Sequence, residues 1–111
     1  MDFTLSKEQQ LVQQMVREFA ENEVKPLAAE IDETERFPME TVEKMTKYGM
    51  MGIPFSKEYG GAGGDTLSYI LAVEELSKVC GTTGVILSAH TSLCASVIDK
   101  YGTEEHKQKY L

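Results

Sequence analysis

The sequence predicts an all-α bundle of about five to six helices, and three observations support this. Apolar residues recur in steps of three and four along most of the chain, capping residues precede several of these runs, and no segment alternates apolar and polar residues as a strand would. The chain has 111 residues, enough for one domain with a modest core. Its 41% hydrophobic and 26% charged residues sit near globular averages and argue against disorder.

Leu11, Val12, Met15, Val16, Phe19 and Ala20 define the apolar face of a first helix. Ser6 with Gln9 three residues later is a capping box, which starts that helix near Lys7. Pro26 has no backbone N–H, so the helix should end around Glu23 and a second should open at the proline. The second carries Leu27, Ala28 and Ile31 and fades in the charged run from Asp32 to Arg36. Pro38 opens a third helix with Met39, Val42 and Met45 on its apolar side. Gly49 reads as its left-handed cap, with Lys44 and Lys47 near the negative end of the dipole.

Met50 to Phe55 is apolar, short and broken by Pro54, and reads as a buried connector. Tyr59 to Asp65 contains four glycines and is the one clear loop. A fourth helix follows from about Thr66 to Lys78, with Leu67, Ile70, Leu71, Val73 and Leu76 inward. The fifth, roughly Thr83 to Lys100, is apolar or small almost all round between Val85 and Ile98. That composition predicts burial on most sides, with small residues permitting close packing. Thr103 is a good N-cap for a last helix through His106 and Tyr110, expected to be cut off by the end of the chain.

The net charge of −7 opposes binding to nucleic acid or anionic membranes, because nothing here would release phosphate counterions. No run is read as approaching the roughly 20 apolar residues that span a bilayer, and no signal peptide precedes the first helix. A cytoplasmic protein is the expectation. Cys80 and Cys94 are too far apart for a Cys-x-x-Cys motif and are expected to be reduced and buried.

The glycine loop invites comparison with a phosphate cradle, but its spacing does not fit. A dinucleotide fingerprint starting at Gly61 needs glycine where Thr66 stands, no strand precedes it, and no Gly-Lys-Ser/Thr follows. A tight structural loop, with Asp65 or Thr66 capping the next helix, is the expectation. His90 and Cys94 share a helical face but lack further ligands of matching spacing, so no metal site is predicted. His90 is read instead as a packed or pocket-lining histidine. Glu74 and Glu75 project about 100° apart and cannot face each other as an acid/base pair. One should meet solvent while the other pairs with a basic group. The methionines at 15, 39, 45, 50 and 51 read mostly as core filler, Met50 also as a possible adaptable contact.

The order of these pieces resembles the opening of the acyl-CoA dehydrogenases. The likeness runs from Asp2-Phe3-Thr4-Leu5 and Glu8-Gln9-Gln10 through Arg17-Glu18-Phe19-Ala20 and Pro26. It continues in Gly49-Met50-Met51-Gly52-Ile53-Pro54, Glu58-Tyr59-Gly60-Gly61-Ala62-Gly63 and Val73-Glu74-Glu75-Leu76. It closes with Thr83-Gly84-Val85-Ile86-Leu87-Ser88, Ser92-Leu93 and Tyr101-Gly102-Thr103-Glu104-Glu105-His106-Lys107. Gly81 to Leu93 is most similar to the short-chain, butyryl-CoA members, and the start at the motif without a transit peptide resembles the bacterial ones.

The resemblance implies an FAD-dependent enzyme that oxidises an acyl-CoA to the trans-2-enoyl-CoA. In it a glutamate base takes the α-proton and the β-hydride passes to the flavin. Electrons then leave to an electron-transferring flavoprotein. It also implies that residues 1–111 are the N-terminal helical domain, that the β-domain and C-terminal helical domain lie beyond, and that no catalytic residue is in this chain. The parent would be a homo-oligomer, a tetramer by likeness to relatives. By the same likeness, Ile86, Leu87, His90, Leu93 and Cys94 are expected to line the acyl pocket. Val12, Val16, Met50, Ala62 and Ala72 are expected to form the docking surface for the electron acceptor. A stand-alone helical interaction module, or the first domain of an oxidase-like flavoprotein, are the alternatives.

Overall fold

The computed structural model describes residues 2–111, which are helical throughout their regular structure, with no strand among the described residues. Residues 7–34 form one unbroken helical run: α1 (Lys7–Phe19), a π-helical segment (Ala20–Val24) and α2 (Lys25–Thr34). The Ser6/Gln9 capping box starts it as expected. Pro26 stands in the first turn of α2 as expected, but the expected break before it does not occur. The ladder has already widened there, with the Lys25 N–H reaching back to the Ala20 carbonyl. The proline ring enters a turn with room for it, and its missing N–H costs no regular bond. Glu35, in the left-handed region at φ 59°, ends the run.

The other α and π elements are α3 (Met39–Lys47), α4 (Thr66–Val79), α5 (Gly81–Ser88), a second π segment (Ala89–Ala95), α6 (Ser96–Tyr101) and α7 (Glu104–Tyr110). Because α5, the π segment and α6 are continuous, the described residues form five helical bodies besides two 3-10 turns, Met50–Gly52 and Lys57–Tyr59. α1 packs on α4, and α4 packs on α5. The core between them holds Val16, Phe19, Met45, Met50, Ile53 and Leu76. Gly49 follows α3 at φ 78°, as its position predicts. Met50, Ile53 and Phe55 of the connector are buried, and Thr103 and His106 form a capping box for α7.

Several inward assignments are corrected. Leu11, Met15, Met39, Leu67 and Ile70 are exposed, so Met15 and Met39 are not core filler. On α4 the buried positions are Ser68, Tyr69, Leu71, Ala72, Glu75 and Leu76, the stripe that faces both α1 and α5. Contact geometry, not side-chain polarity, decides which stripe is covered. On α3, Thr41 is buried where Met39 was expected.

The helical body Gly81–Tyr101 brings two further corrections. It is buried along one side only, with Val85 66% and Leu93 74% exposed. It is also 21 residues long with a mean hydropathy of 1.3, long and apolar enough to cross a membrane by length and composition alone. Interspersed Ser88, Ser92, Ser96 and His90 hid that length in the sequence. The core helix of a helical protein passes the same test. Cys94 lies on its exposed side and Cys80 is buried; both thiols are free, so only Cys80 meets the expectation of burial. The uncovered apolar side should make the isolated chain self-associate. Sedimentation over a wide concentration range should show mass increasing with concentration; a monomer throughout would contradict this.

Glu75 is the charged member of the buried stripe, with a side chain 3% exposed. Arg17 grips it with Nη2 2.8 Å from Oε1 and Nε 3.3 Å from Oε2, and Lys78 Nζ adds a contact at 3.1 Å. Glu74 stays exposed, so the adjacent pair divides its labour as expected. Arg17 first, and Lys78 after it, hold the Glu75 carboxyl below its ordinary range. A depressed folded-state pKa stabilises the fold above the unfolded value, and that stability is lost as pH falls through the folded value. The urea midpoint should therefore drop on acidification below the usual glutamate pKa. Glu75→Gln should flatten that part of the profile.

Candidate functional site

Two concavities flank the glycine loop, and the loop's own construction decides what they can hold. The amides of Gly60 to Gly64 are all spent internally. Gly60 donates to the Lys57 carbonyl, Gly61 to Ser56, Ala62 to Gly52, Gly63 to Phe55 and Gly64 to Ile53, at 2.8 to 3.0 Å. None is left to cradle an anion, so the loop is the tight structural element its spacing predicts. Gly61 is required by packing, since a Cβ there would lie 2.2 Å from the Phe55 carbonyl oxygen. Asp65 caps α4 by accepting from the Ser68 amide at 2.8 Å and also accepts from the Gln9 side chain at 2.8 Å. The Ser68 amide first, then Gln9, hold its carboxyl below the usual range.

The first concavity, about 430 Å³, lies between α3, the connector and the π segment. Val42, Met51, Phe55, Tyr59 and His90 are among its lining. His90 Nε2 sits 3.0 Å from the Met51 carbonyl oxygen. That oxygen carries no proton, so Nε2 donates, which leaves Nδ1 as the lone-pair nitrogen when the ring is neutral. His90 is thus the pocket-lining histidine of the two readings offered by the sequence. Tyr59 closes one side. Its hydroxyl donates to the Glu104 carboxylate at 2.7 Å, which ties the glycine loop to α7 and pushes the phenol up to about 12.

Of the five expected pocket residues, the structure brings only His90 to this cavity. Leu87 is fully buried in the core, and Ile86 packs against it half-buried. Leu93 and Cys94 point away from the chain's own core and are exposed. These five residues therefore do not form one surface within this chain.

The second concavity, about 600 Å³, is an open groove between α1 and the glycine loop. Val12 and Ala62 lie in it, with Glu8, Lys57 and Asp65 providing charge. Val16, Met50 and Ala72 are 0 to 1% exposed, so these three cannot touch a docking partner. They belong to the hydrophobic core. Met51, Tyr59 and Tyr69 were not singled out from the sequence as site residues. Two of them act through a backbone carbonyl or a distant carboxylate, neither of which leaves a spacing signal.

Comparisons with known proteins follow the same lines. The family profile described as "Acyl-CoA dehydrogenase, N-terminal domain" matches residues 6–111. The chain is 85% identical over its full length to "Acyl-CoA dehydrogenase, short-chain specific" of Clostridium acetobutylicum, of which it spans 29%. It is similar, at TM-score 0.97 and 52% identity, to a chain in the structure reported as "Electron transferring flavoprotein of Acidaminococcus fermentans: Towards a mechanism of flavin-based electron bifurcation". There it covers all of itself and 29% of that chain. Butyryl-CoA dehydrogenase from Megasphaera elsdenii matches at TM-score 0.93 and 40% identity, again with all of this chain and 30% of the other. The chain spans less than a third of the length of these proteins.

Proposed function

The chain belongs to the acyl-CoA dehydrogenase family as its N-terminal domain, and on that premise we propose that its parent is an FAD-dependent short-chain acyl-CoA dehydrogenase. The proposed reaction converts a short acyl-CoA to its trans-2-enoyl-CoA. The observation that carries this reading is the 85% identity, over all 111 residues, to a short-chain-specific relative. The butyryl-CoA dehydrogenase likeness supports the same substrate class.

Within the reading, the helical body Gly81–Tyr101 is one wall of the acyl pocket. His90 faces the cavity, Leu87 and Ile86 hold the wall's inner side, and Leu93 and Cys94 are offered to parts of the protein beyond residue 111. The glycine loop does not fit the phosphates of FAD, because the amides of Gly60 to Gly64 are already used. By family likeness, most of the flavin contacts and the catalytic base are assigned to domains outside this chain. The groove around Val12 and Ala62 is proposed as the landing surface for an electron-transferring flavoprotein, with Val16, Met50 and Ala72 contributing only as buried core. A cytoplasmic homotetramer completes the reading.

The test is to assay the full-length gene product and the 111-residue chain side by side with butyryl-CoA and an electron acceptor. The full-length protein should carry flavin absorbance and form the enoyl-CoA, while the chain alone should do neither. Turnover by the chain alone, or a full-length protein inert toward short acyl-CoAs, would contradict the reading.

A further inference from the structure

Four buried positions on the helical body Gly81–Tyr101, namely Thr83, Leu87, Thr91 and Ala95, are spaced by four residues. A regular α-helix turns about 100° per residue, so each four-residue step drifts about 40°. Across the three steps from Thr83 to Ala95 the stripe would swing by about 120° and leave the core. The helix avoids this by widening. Ala89–Ala95 is π-helical, and the Ser96 N–H reaches back five residues to the Thr91 carbonyl. Thr91 does not choose this register. Its hydroxyl is buried without a partner, a cost that by itself favours turning outward. Some other contact must hold the turn.

Tyr69 makes that contact. It rises from α4, is 5% exposed, and places its hydroxyl 2.7 Å from Ser92 Oγ and 3.3 Å from the Ser88 carbonyl oxygen. Ser88 is the residue immediately before the widened segment, and Ser92 lies inside it. Between the two anchors stands His90, whose ring donates to the Met51 carbonyl. We propose that Tyr69 is a positioning residue that pins the widened turn through Ser88 and Ser92 and so fixes His90 at the cavity. The meaning of this for substrate rests on the reading of His90 as an acyl-pocket residue; the geometry does not.

The test uses the 111-residue chain and Tyr69→Phe, which removes only the hydroxyl. Helical content should be retained. The His90 ring nitrogens, read by NMR in the neutral form, should pass from a fixed Nε2–H tautomer to an average of both. Amide exchange over residues 92–96 should quicken by about tenfold while that of α1 is unchanged. Ser92→Ala, which removes one of two partners, should move both readouts in the same direction by less. A His90 ring spectrum unchanged in Tyr69→Phe, or a loss of protection spread equally over α1, would overturn the proposal. If Tyr69→Phe does not fold, Ser92→Ala decides by the same two criteria. None of these readouts needs acyl-CoA turnover, so a full-length protein inert toward short acyl-CoAs would sink the functional reading and leave this one standing.

Discussion

Adding a single methyl group at Gly61 is expected to destabilise the domain by about 3 kcal/mol. The new Cβ would sit 2.2 Å from the Phe55 carbonyl oxygen and 2.5 Å from its carbon, both backbone atoms that cannot rotate aside. Relief requires the connector and the loop to part. That movement would strain the bonds from Gly61 to the Ser56 carbonyl, from Ala62 to Gly52 and from Gly63 to Phe55. The two concavities share this loop, so both would be reshaped. Gly60→Ala is the proper control. Its φ of 88° imposes strain on any side chain, yet a Cβ there meets nothing within 4 Å. The expected cost is about 1 kcal/mol. Urea unfolding should show a clear gap between the variants with slopes unchanged; equal midpoints would contradict the packing argument.

Leu87→Ala is expected to cost about 2–5 kcal/mol, whereas Leu93→Ala should change stability by no more than about 0.5 kcal/mol. Likeness to relatives groups these two leucines as lining of one pocket. The structure separates them, with Leu87 fully buried and Leu93 74% exposed. Truncating Leu87 leaves a cavity among core side chains that include Leu76 and Met50. Truncating Leu93 removes a side chain that this chain does not cover. Thermal or urea unfolding of the 111-residue chain, at concentrations low enough to keep it monomeric, reads the difference directly. Comparable losses from both would show that the outer side of the helix is packed in solution.

What the sequence made legible follows from which physics is local. The Ser6/Gln9 capping box, the Thr103 N-cap, the left-handed Gly49 and the buried connector depend on neighbours a few residues away, and each stands where it is expected. Pro26 stands in the first turn of α2 as expected, but the expected break before it fails because that depends on whether the preceding turn is α or π, and composition does not show that. Leu67 and Ile70 were misjudged because burial on α4 depends on where α1 and α5 lie, a tertiary fact. The widened turn at Ala89–Ala95 did leave a trace, the four-residue spacing of Thr83, Leu87, Thr91 and Ala95. It is legible only once those positions are known to be buried. At the site, His90 could be found from sequence because a lone histidine on an apolar helix stands out. Its partner, the Met51 carbonyl, could not, because every residue has one.

One measurement bears on the fold, the pocket and the function together: the acyl-length profile of the full-length protein carrying His90→Ala. The kcat/KM values for butyryl-, hexanoyl- and octanoyl-CoA would be compared with those of the parent. Removing a ring that lines the cavity should shift preference toward the longer chains, changing the octanoyl-to-butyryl ratio by about tenfold or more. A ratio equal to the parent's, in a variant that remains folded and active, would show that this helix does not meet the acyl chain.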